Sequence, residues 1–358
     1  MDEKKTIFLT GATGLVGSYL LKILLQNGHK VFCLSRCKKD KTARQRVEDV
    51  LNFWDETVLA EYKDKLVVLE GDITLENLGL DEQTRDILKN EVVQIFHSAA
   101  VTEFNLSFKD LYDVNVGGTK RVLDLAAELK NNGKFEKINH ISTVYVCGDH
   151  KGDFAEDDLD VGQNFNTGYG QSKFEAEKLV EEYREKGIWI DIFRPPMIVG
   201  ESTTGKTFLF DQAFYQTIRI LKSEIFTSFP VEKWHKVNMV CVDELCQCVV
   251  RIAFKNNVKN QVFHVFSGKP LLVIEGLSII SDILNIKKPG FIALSEVIGK
   301  LTPVQKKLLE YNMFFLNNDV NLYSHLTNRF LEKYGFSFSE YDSVVFSNLV
   351  KHFLGNGA

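Results

Sequence analysis

Apolar residues along this chain fall into two alternating rhythms. After a charged start, TIFLT is a short apolar run; TGATGLVG follows; then GSYLLKILLQNG spaces its leucines as one face of a helix and stops near Gly28, and KVFCLSR is apolar again. The pattern predicts strand, glycine-rich turn, helix and strand, a βαβ unit. Further strands are predicted at KLVVLEGD, VVQIFHSAA, KINHISTVYV, WIDIFRPPMIVG and QVFHVF, separated by helical stretches such as VGGTKRVLDLAAELK and YGQSKFEAEKLVEEYREKG. Such alternation implies an α/β fold, a doubly wound parallel sheet with helices on both faces.

From about residue 201 the rhythm loosens into aromatic-rich segments, and LTPVQKKLLEYNMFFLNNDVNLYSHLTNRFLEKYGF reads as mostly helical. The expected organisation is a nucleotide domain over 1–205, with 236–270 (VNMVCVDELCQCVVRIAF and QVFHVF) rejoining its sheet. A smaller, mostly helical substrate lobe would then comprise 206–235 and 271–358. A chain of 358 residues is long enough to bury such a core.

Composition narrows the function classes. With 44% hydrophobic and 25% charged residues and no run of ~18 apolar residues, no membrane span is expected. The opening MDEKKTIFLTGATG lacks an apolar stretch with a cleavage site, so the expectation is a soluble, cytoplasmic protein. A net charge of −5, with basic residues dispersed except from Arg36 to Arg46, makes nucleic acid an unexpected partner. The six cysteines show no paired CxxC spacing and read as reduced packing residues, so no metal is expected.

The candidate chemistry begins at Gly11, Thr13, Gly14, Leu15, Val16 and Gly17, directly after a strand and opening a helix. Gly11 permits a tight turn, Gly14 lets the backbone approach a pyrophosphate, and Gly17 allows helix and strand to pack, in the manner of a Rossmann-type site. An NAD site normally ends its second strand with an acid. Here the strand ends in Leu34-Ser35-Arg36, and a guanidinium there suits a 2′-phosphate, which favours NADP(H). Asp72 and Ile73, after the next strand, would lie near the adenine, although Asp72 reads nearly as well as a turn aspartate.

Tyr169 and Lys173 stand four apart on a helical run, on one face. An ammonium beside a phenol lowers its pKa and makes it a usable proton donor to a developing alkoxide. Thr143, at a strand end upstream, offers a hydroxyl to hold the substrate oxygen. His97, His140 and His264 lie in apolar strand-like stretches and read as core histidines.

TGATGLVG, GDIT, HSAA (97–100), NVGGT (115–119), ISTVYVCG (141–148), YGQSK (169–173) and RPPMIVG (194–200) occur in an order that resembles the extended short-chain dehydrogenase/reductase superfamily over roughly residues 5–270. The resemblance implies a hydroxyl role for Thr143, an acid/base role for Tyr169, and ribose binding with support of Tyr169 for Lys173. It implies that Asn115 shapes a proton relay and that Ala99, Ala100, Pro196 and Ile198 line the nicotinamide path. CLSR with Arg46 ten residues after Arg36, SFKDLYDVNVGGTKRVLDLA and TGYGQSKFEAEKLV look most like the thioester reductase and fatty acyl reductase branch, of male-sterility type. That likeness implies NADPH-dependent reduction of an acyl thioester, carried on coenzyme A or on an acyl carrier protein in trans, to aldehyde or alcohol. The chain departs from the branch at GLVG and at Pro196.

Competing readings are a ketone or aldehyde reductase, a nucleotide-sugar epimerase or dehydratase of the same superfamily, and a non-catalytic NADP-sensing module. A fourth is a P-loop NTPase, because Gly200–Thr207 (GESTTGKT) matches the phosphate-loop consensus and VNMVCVDE resembles a magnesium-binding strand end. Phe208, Phe210, Phe214, Phe226 and Phe229 are candidates for an acyl-binding wall.

Overall fold

The computed structural model describes residues 4–226, 228–255, 258–297, 299, 301–306, 308–309 and 320–357. The chain divides into two compact units. The first comprises 1–148, 167–194 and 246–263, and the second 149–166, 195–245 and 264–358.

The first unit is built on β1 (Thr6–Thr10), β2 (Lys30–Ser35), β3 (Leu66–Glu70), β4 (Gln94–His97), β5 (Lys137–Ile141), β6 (Ile190–Arg194) and β7 (Val262–His264). They form one seven-stranded sheet in the order β7-β6-β5-β4-β1-β2-β3. The pairs from β3 through β6 are all parallel. The order reverses beside β1, so the crevice outside its carboxyl end is the topological switch point where such folds bind ligands.

Main connecting helices are α1 (Leu15–Gln26), α2 (Ala43–Trp54), α3 (Glu82–Glu91), α4 (Gly118–Lys130) and α5 (Gly168–Glu185). Val122, Leu123, Ala126 and Leu129 of α4 and Val180 and Tyr183 of α5 pack with Phe8, Phe32, Ile95, Ile138, Ile190 and Ile192 of the strands in one buried cluster. Strands β4, β5 and β6 are buried at every position, so that even their polar residues, among them Lys137, Asn139, His140 and Asp191, lie in the interior. Away from the strands' carboxyl ends, a buried Lys137–Asp191 ion pair at 2.7 Å ties β5 to β6.

Several boundaries differ from the sequence expectation. Segments 149–166 and 195–205 group with the second unit, and only 246–263 of the stretch 236–270 belongs with the first. WIDIFRPPMIVG is two strands, because Pro195 and Pro196 carry no amide donor for a ladder. Its second half, Met197–Val199, pairs in parallel with Met239–Cys241 in a separate two-stranded sheet, and Val242–Ala253 is a helix. VYV, the end of the predicted fifth strand, is instead part of a 3-10 turn at Val144–Cys147, where the Thr143 side chain accepts from the Tyr145 amide. Much of the predicted helical tail, 311–319, lies outside the described residues; the rest includes a short strand, Val320–Leu322, and a helix, His325–Glu332. Five cysteines are buried, but Cys37 is exposed and is not a packing residue. No described helix is long and apolar enough to cross a membrane, and the described residues hold no cluster of three or more metal-ligating side chains.

Candidate active site

β1 ends at Thr10 and the backbone turns at Gly11 with φ +77°. A Cβ at Gly11 would lie 2.6 Å from the Ala99 amide nitrogen, and one at Gly17 would lie 2.0 Å from the Gly11 carbonyl oxygen. Only glycine lets β1, the β4 end and α1 come this close. Gly14 differs: its added Cβ would meet only the Gly11 oxygen, at 3.5 Å, so the space above it is open. Gly14 is also the N-cap of α1 and offers no side-chain cap, while Leu15 and Val16 turn their side chains inward. An open cradle of glycine backbone at the uncapped positive end of a 12-residue helix fits a pyrophosphate.

Arg46, on α2, donates to Thr13 Oγ1 at 3.0 Å and to the Arg36 carbonyl at 2.6 Å, fastening the end of β2 to the glycine turn. Burial and the nearby Arg36 charge lower its pKa below the usual guanidinium range. Arg36 pairs with Asp72 at 3.1 Å. Partial burial opposes ionisation of Asp72, but the Thr74 amide and hydroxyl and the Arg36 guanidinium outweigh it and hold the carboxyl below its ordinary range. Asp72 is therefore a turn aspartate that also faces the β2 end. Ile73 is buried, and a Cβ at Gly118 would fall 2.6 Å from its Cδ1.

The second group of candidate residues converges where β5 meets α5. Thr167 caps α5 by accepting from the Gly170 amide, which starts the helix at Gly168 and sets Tyr169, Lys173 and Glu177 one turn apart. The Thr143 side chain hydrogen-bonds the Tyr169 phenol. Phe104 packs on the Tyr169 ring at 5.3 Å between centroids and meets Tyr145 edge-on at 5.6 Å. Lys173 Nζ donates to the Ile141 carbonyl at 2.9 Å and approaches His140 Nε2 at 3.4 Å.

One expectation is corrected here. Tyr169 is pushed up to about 12 rather than down, because burial outweighs the Thr143 hydrogen bond, and the Lys173 ammonium is turned to Ile141 and His140. Lys173 itself is lowered to about 8 by burial, against the pull of Glu177.

Asn115 sits in a π-helical turn, Asp113–Gly117, ahead of α4. Its Oδ1 accepts from the Val101 amide at 2.8 Å, and its Nδ2 donates to the Val101 carbonyl at 2.9 Å and to Ser172 Oγ at 2.8 Å. It fixes the segment after Ala99 and Ala100 to α5. Pro196 and Ile198 fall in the second unit, where Ile198 pairs with Val240.

Sequence reasoning missed two buried networks. His97, read as a core histidine, bonds Thr10 Oγ1 at 2.7 Å and Thr119 Oγ1 at 3.0 Å, and burial with the Lys173 charge pushes it down to about 3. Arg194 grips Glu177 through Nη2 at 2.7 Å and Nε at 3.1 Å, and Glu177 also accepts from Ser142 Oγ. Glu177 and Arg194 lie 17 residues apart, on α5 and at the end of β6, and the spacing of four from Lys173 was the one local signal at Glu177.

In the second unit, the loop 200–207 closes on itself. Glu201 N donates to Lys206 O at 3.0 Å, Gly205 N donates to Glu201 O at 2.8 Å, and a Cβ at Gly200 would lie 2.2 Å from Gly205 O. Asp243 is occupied by the Ser202 amide and hydroxyl at 2.9 and 2.7 Å. No helix follows until Ala213, so the phosphate-cradle reading has neither the cavity nor the helix it needs. Phe214, Phe229 and Phe346, with Met197, Met239 and Leu277, line an apolar cavity of about 70 Å³ in this unit. Phe210 packs on Tyr215 and Phe353.

A doubly wound parallel sheet with a glycine turn at its switch point, Thr143 just past the end of β5, and Tyr169 and Lys173 on α5 defines an extended short-chain dehydrogenase/reductase architecture. The chain belongs to the male sterility protein family of NAD-binding domains, whose model matches residues 9–249. It is similar to the large subunit of L-2-aminoadipate reductase from Penicillium chrysogenum, 31% identical over 271 residues, 71% of this chain and 19% of that protein. A putative fatty acyl-CoA reductase from Drosophila melanogaster is 35% identical over 150 residues, 40% of this chain and 28% of that protein. The chain thus spans between 19% and 28% of the length of these relatives. Among solved structures, the terminal R domain of the myxalamid polyketide and nonribosomal peptide pathway matches with a TM-score of 0.81 at 24% identity, covering 99% of this chain and 91% of that one.

Proposed function

We propose that this chain is an NADPH-dependent reductase of acyl thioesters, carried on coenzyme A or on an acyl carrier protein in trans, giving an aldehyde or alcohol. The reading rests above all on the Thr143 hydroxyl bonded to the Tyr169 phenol, with Lys173 one turn further along α5. The family and the reductase names of its relatives support it.

In this reading, the turn Gly11–Gly17 holds the pyrophosphate, Arg36 and Arg46 hold a 2′-phosphate, Asp72 and Ile73 flank the adenine, and Ala99, Ala100, Pro196 and Ile198 line the nicotinamide path. The bound dinucleotide supplies the hydride. Thr143 and Tyr169 hold the thioester carbonyl oxygen between them and stabilise the charge that develops on it. Tyr169, protonated throughout the neutral range, gives its proton to that oxygen, and collapse of the resulting hemithioacetal releases thiol and aldehyde. Lys173 holds the ribose and, while charged, steadies the phenolate left on Tyr169 until a proton from solvent returns to it; Asn115 keeps the flanking backbone in place.

The test is absorbance loss of NADPH with a panel of acyl-CoA, aldehyde, ketone and UDP-sugar compounds. Turnover with an acyl-CoA is expected. Oxidation by ketones alone, or sugar epimerisation with tightly held NAD, would replace the reading. A pH dependence follows from Lys173. Its charge is present at neutral pH and lost as pH rises through about 8, so thioester reduction is expected to fall on the alkaline side, and a rate flat to pH 10 would remove the lysine charge from the mechanism.

A further inference from the structure

Three successive residues at the end of β5 are each gripped by α5. Lys173 takes the Ile141 carbonyl, Glu177 takes the Ser142 hydroxyl, and Tyr169 takes the Thr143 hydroxyl. The helix residues are spaced by four, so one face of α5 is laced to one strand end. Two of these ties use groups already given roles; the third, Glu177, is fully buried and carries a charge that is held by Arg194, itself 1% exposed. A buried ion pair of this kind is seldom there for stability, since apolar residues of like volume serve as well or better. We propose that Glu177, locked by Arg194 and Ser142, is a positioning residue that aligns the Thr143 strand end with α5 and keeps Lys173 in its charged, ribose-binding form. This rests on the roles proposed above for Thr143, Tyr169 and Lys173.

Electrostatics at the site agree with that geometry. Facing Lys173 are His140 from β5, His97 from β4, and Tyr169 and Glu177 from α5 itself, with Arg194 of β6 behind Glu177. Burial keeps both histidines neutral near pH 7 and the phenol protonated. Glu177 is thus the carboxylate that opposes two buried cations. Without its charge, the burial that lowers Lys173 goes unopposed from this side, and the ammonium releases its proton more readily.

The experiment is a pH titration of Lys173 by NMR of protein labelled with 13C-lysine, the resonance being assigned by its loss in Lys173→Met, together with NADPH affinity by fluorescence at pH 6 and pH 8. In Glu177→Gln, Lys173 is expected to titrate about one pH unit lower or more. NADPH should then bind about fivefold more weakly at pH 8, with the difference closing at pH 6, where the ammonium is restored. Because Glu177→Gln strands a buried arginine, the apolar pair Glu177→Met with Arg194→Leu provides a folded comparison. It is expected to shift the Lys173 titration in the same direction while keeping the melting temperature. Should the apolar pair titrate and bind NADPH as the parent does, Glu177 is only a packing element and the proposal is overturned. Failure of the underlying reading looks different: a Lys173→Met variant that turns over normally would remove the lysine itself from the site.

Discussion

Tyr169→Phe is expected to lower thioester-dependent NADPH oxidation by about 10³-fold while NADPH binds as before. Phenylalanine keeps the ring that packs against Phe104 and removes only the hydroxyl. The partner left behind, the Thr143 hydroxyl, loses one neutral hydrogen bond, a cost of about 1 kcal/mol that the fold can carry. Chemistry, by contrast, loses both the proton donor and one of two hydrogen bonds to the developing oxyanion. Single-turnover rates with fluorescence titration of NADPH separate the two effects. Rates unchanged by the substitution would take Tyr169 out of the reaction, whatever happened to binding. Thr143→Val, removing the other donor, should lower the rate in the same direction without altering cofactor affinity.

The sequence revealed the site's outline because its parts are local. A glycine turn must follow a strand and open a helix, so Gly11, Gly14 and Gly17 announce themselves within a few residues. Tyr169 and Lys173 share a helix face, and their spacing alone says so. Strands buried on both sides tend towards continuous apolar runs, which made β1 (TIFLT) and β2 (KVFCLS) readable.

What stayed hidden depends on tertiary neighbours. Glu177 reads as one more acidic residue on a charged helix until β6 brings Arg194 against it. The apolar VYVC has a strand's composition, yet the Thr143 cap on the Tyr145 amide winds it into a turn. Pro195-Pro196 was visible as a breaker, but where Met197–Val199 would pair was not, since its partner Met239–Cys241 lies about forty residues on. The direction of the Tyr169 shift escaped for a similar reason. Sequence places a lysine near the phenol, but only coordinates reveal that its ammonium points at a carbonyl.

Arg36→Ala is expected to weaken NADPH binding by about 10- to 100-fold and to leave NADH nearly unaffected, the range following from the roughly 1.5–3 kcal/mol of a hydrogen bond to a charged group. In the structure Arg36 is engaged with Asp72, but that pair is more than half open to water on the arginine side, and exposed pairs of this kind are worth about 0–1 kcal/mol. A 2′-phosphate carries more charge than a carboxylate and accepts a forked guanidinium, so it outcompetes Asp72 at small cost. Arg46 adds a second cation from α2, already aimed at the turn through Thr13. Its removal should weaken both cofactors, NADPH more, because the Thr13 and Arg36 ties are lost along with the charge. The double variant is therefore predicted to bind NADH as tightly as NADPH, and raising salt should narrow the gap in the parent protein. Calorimetric titration of both dinucleotides into each variant decides it: equal weakening of NADPH and NADH by Arg36→Ala would mean that this guanidinium contacts no phosphate.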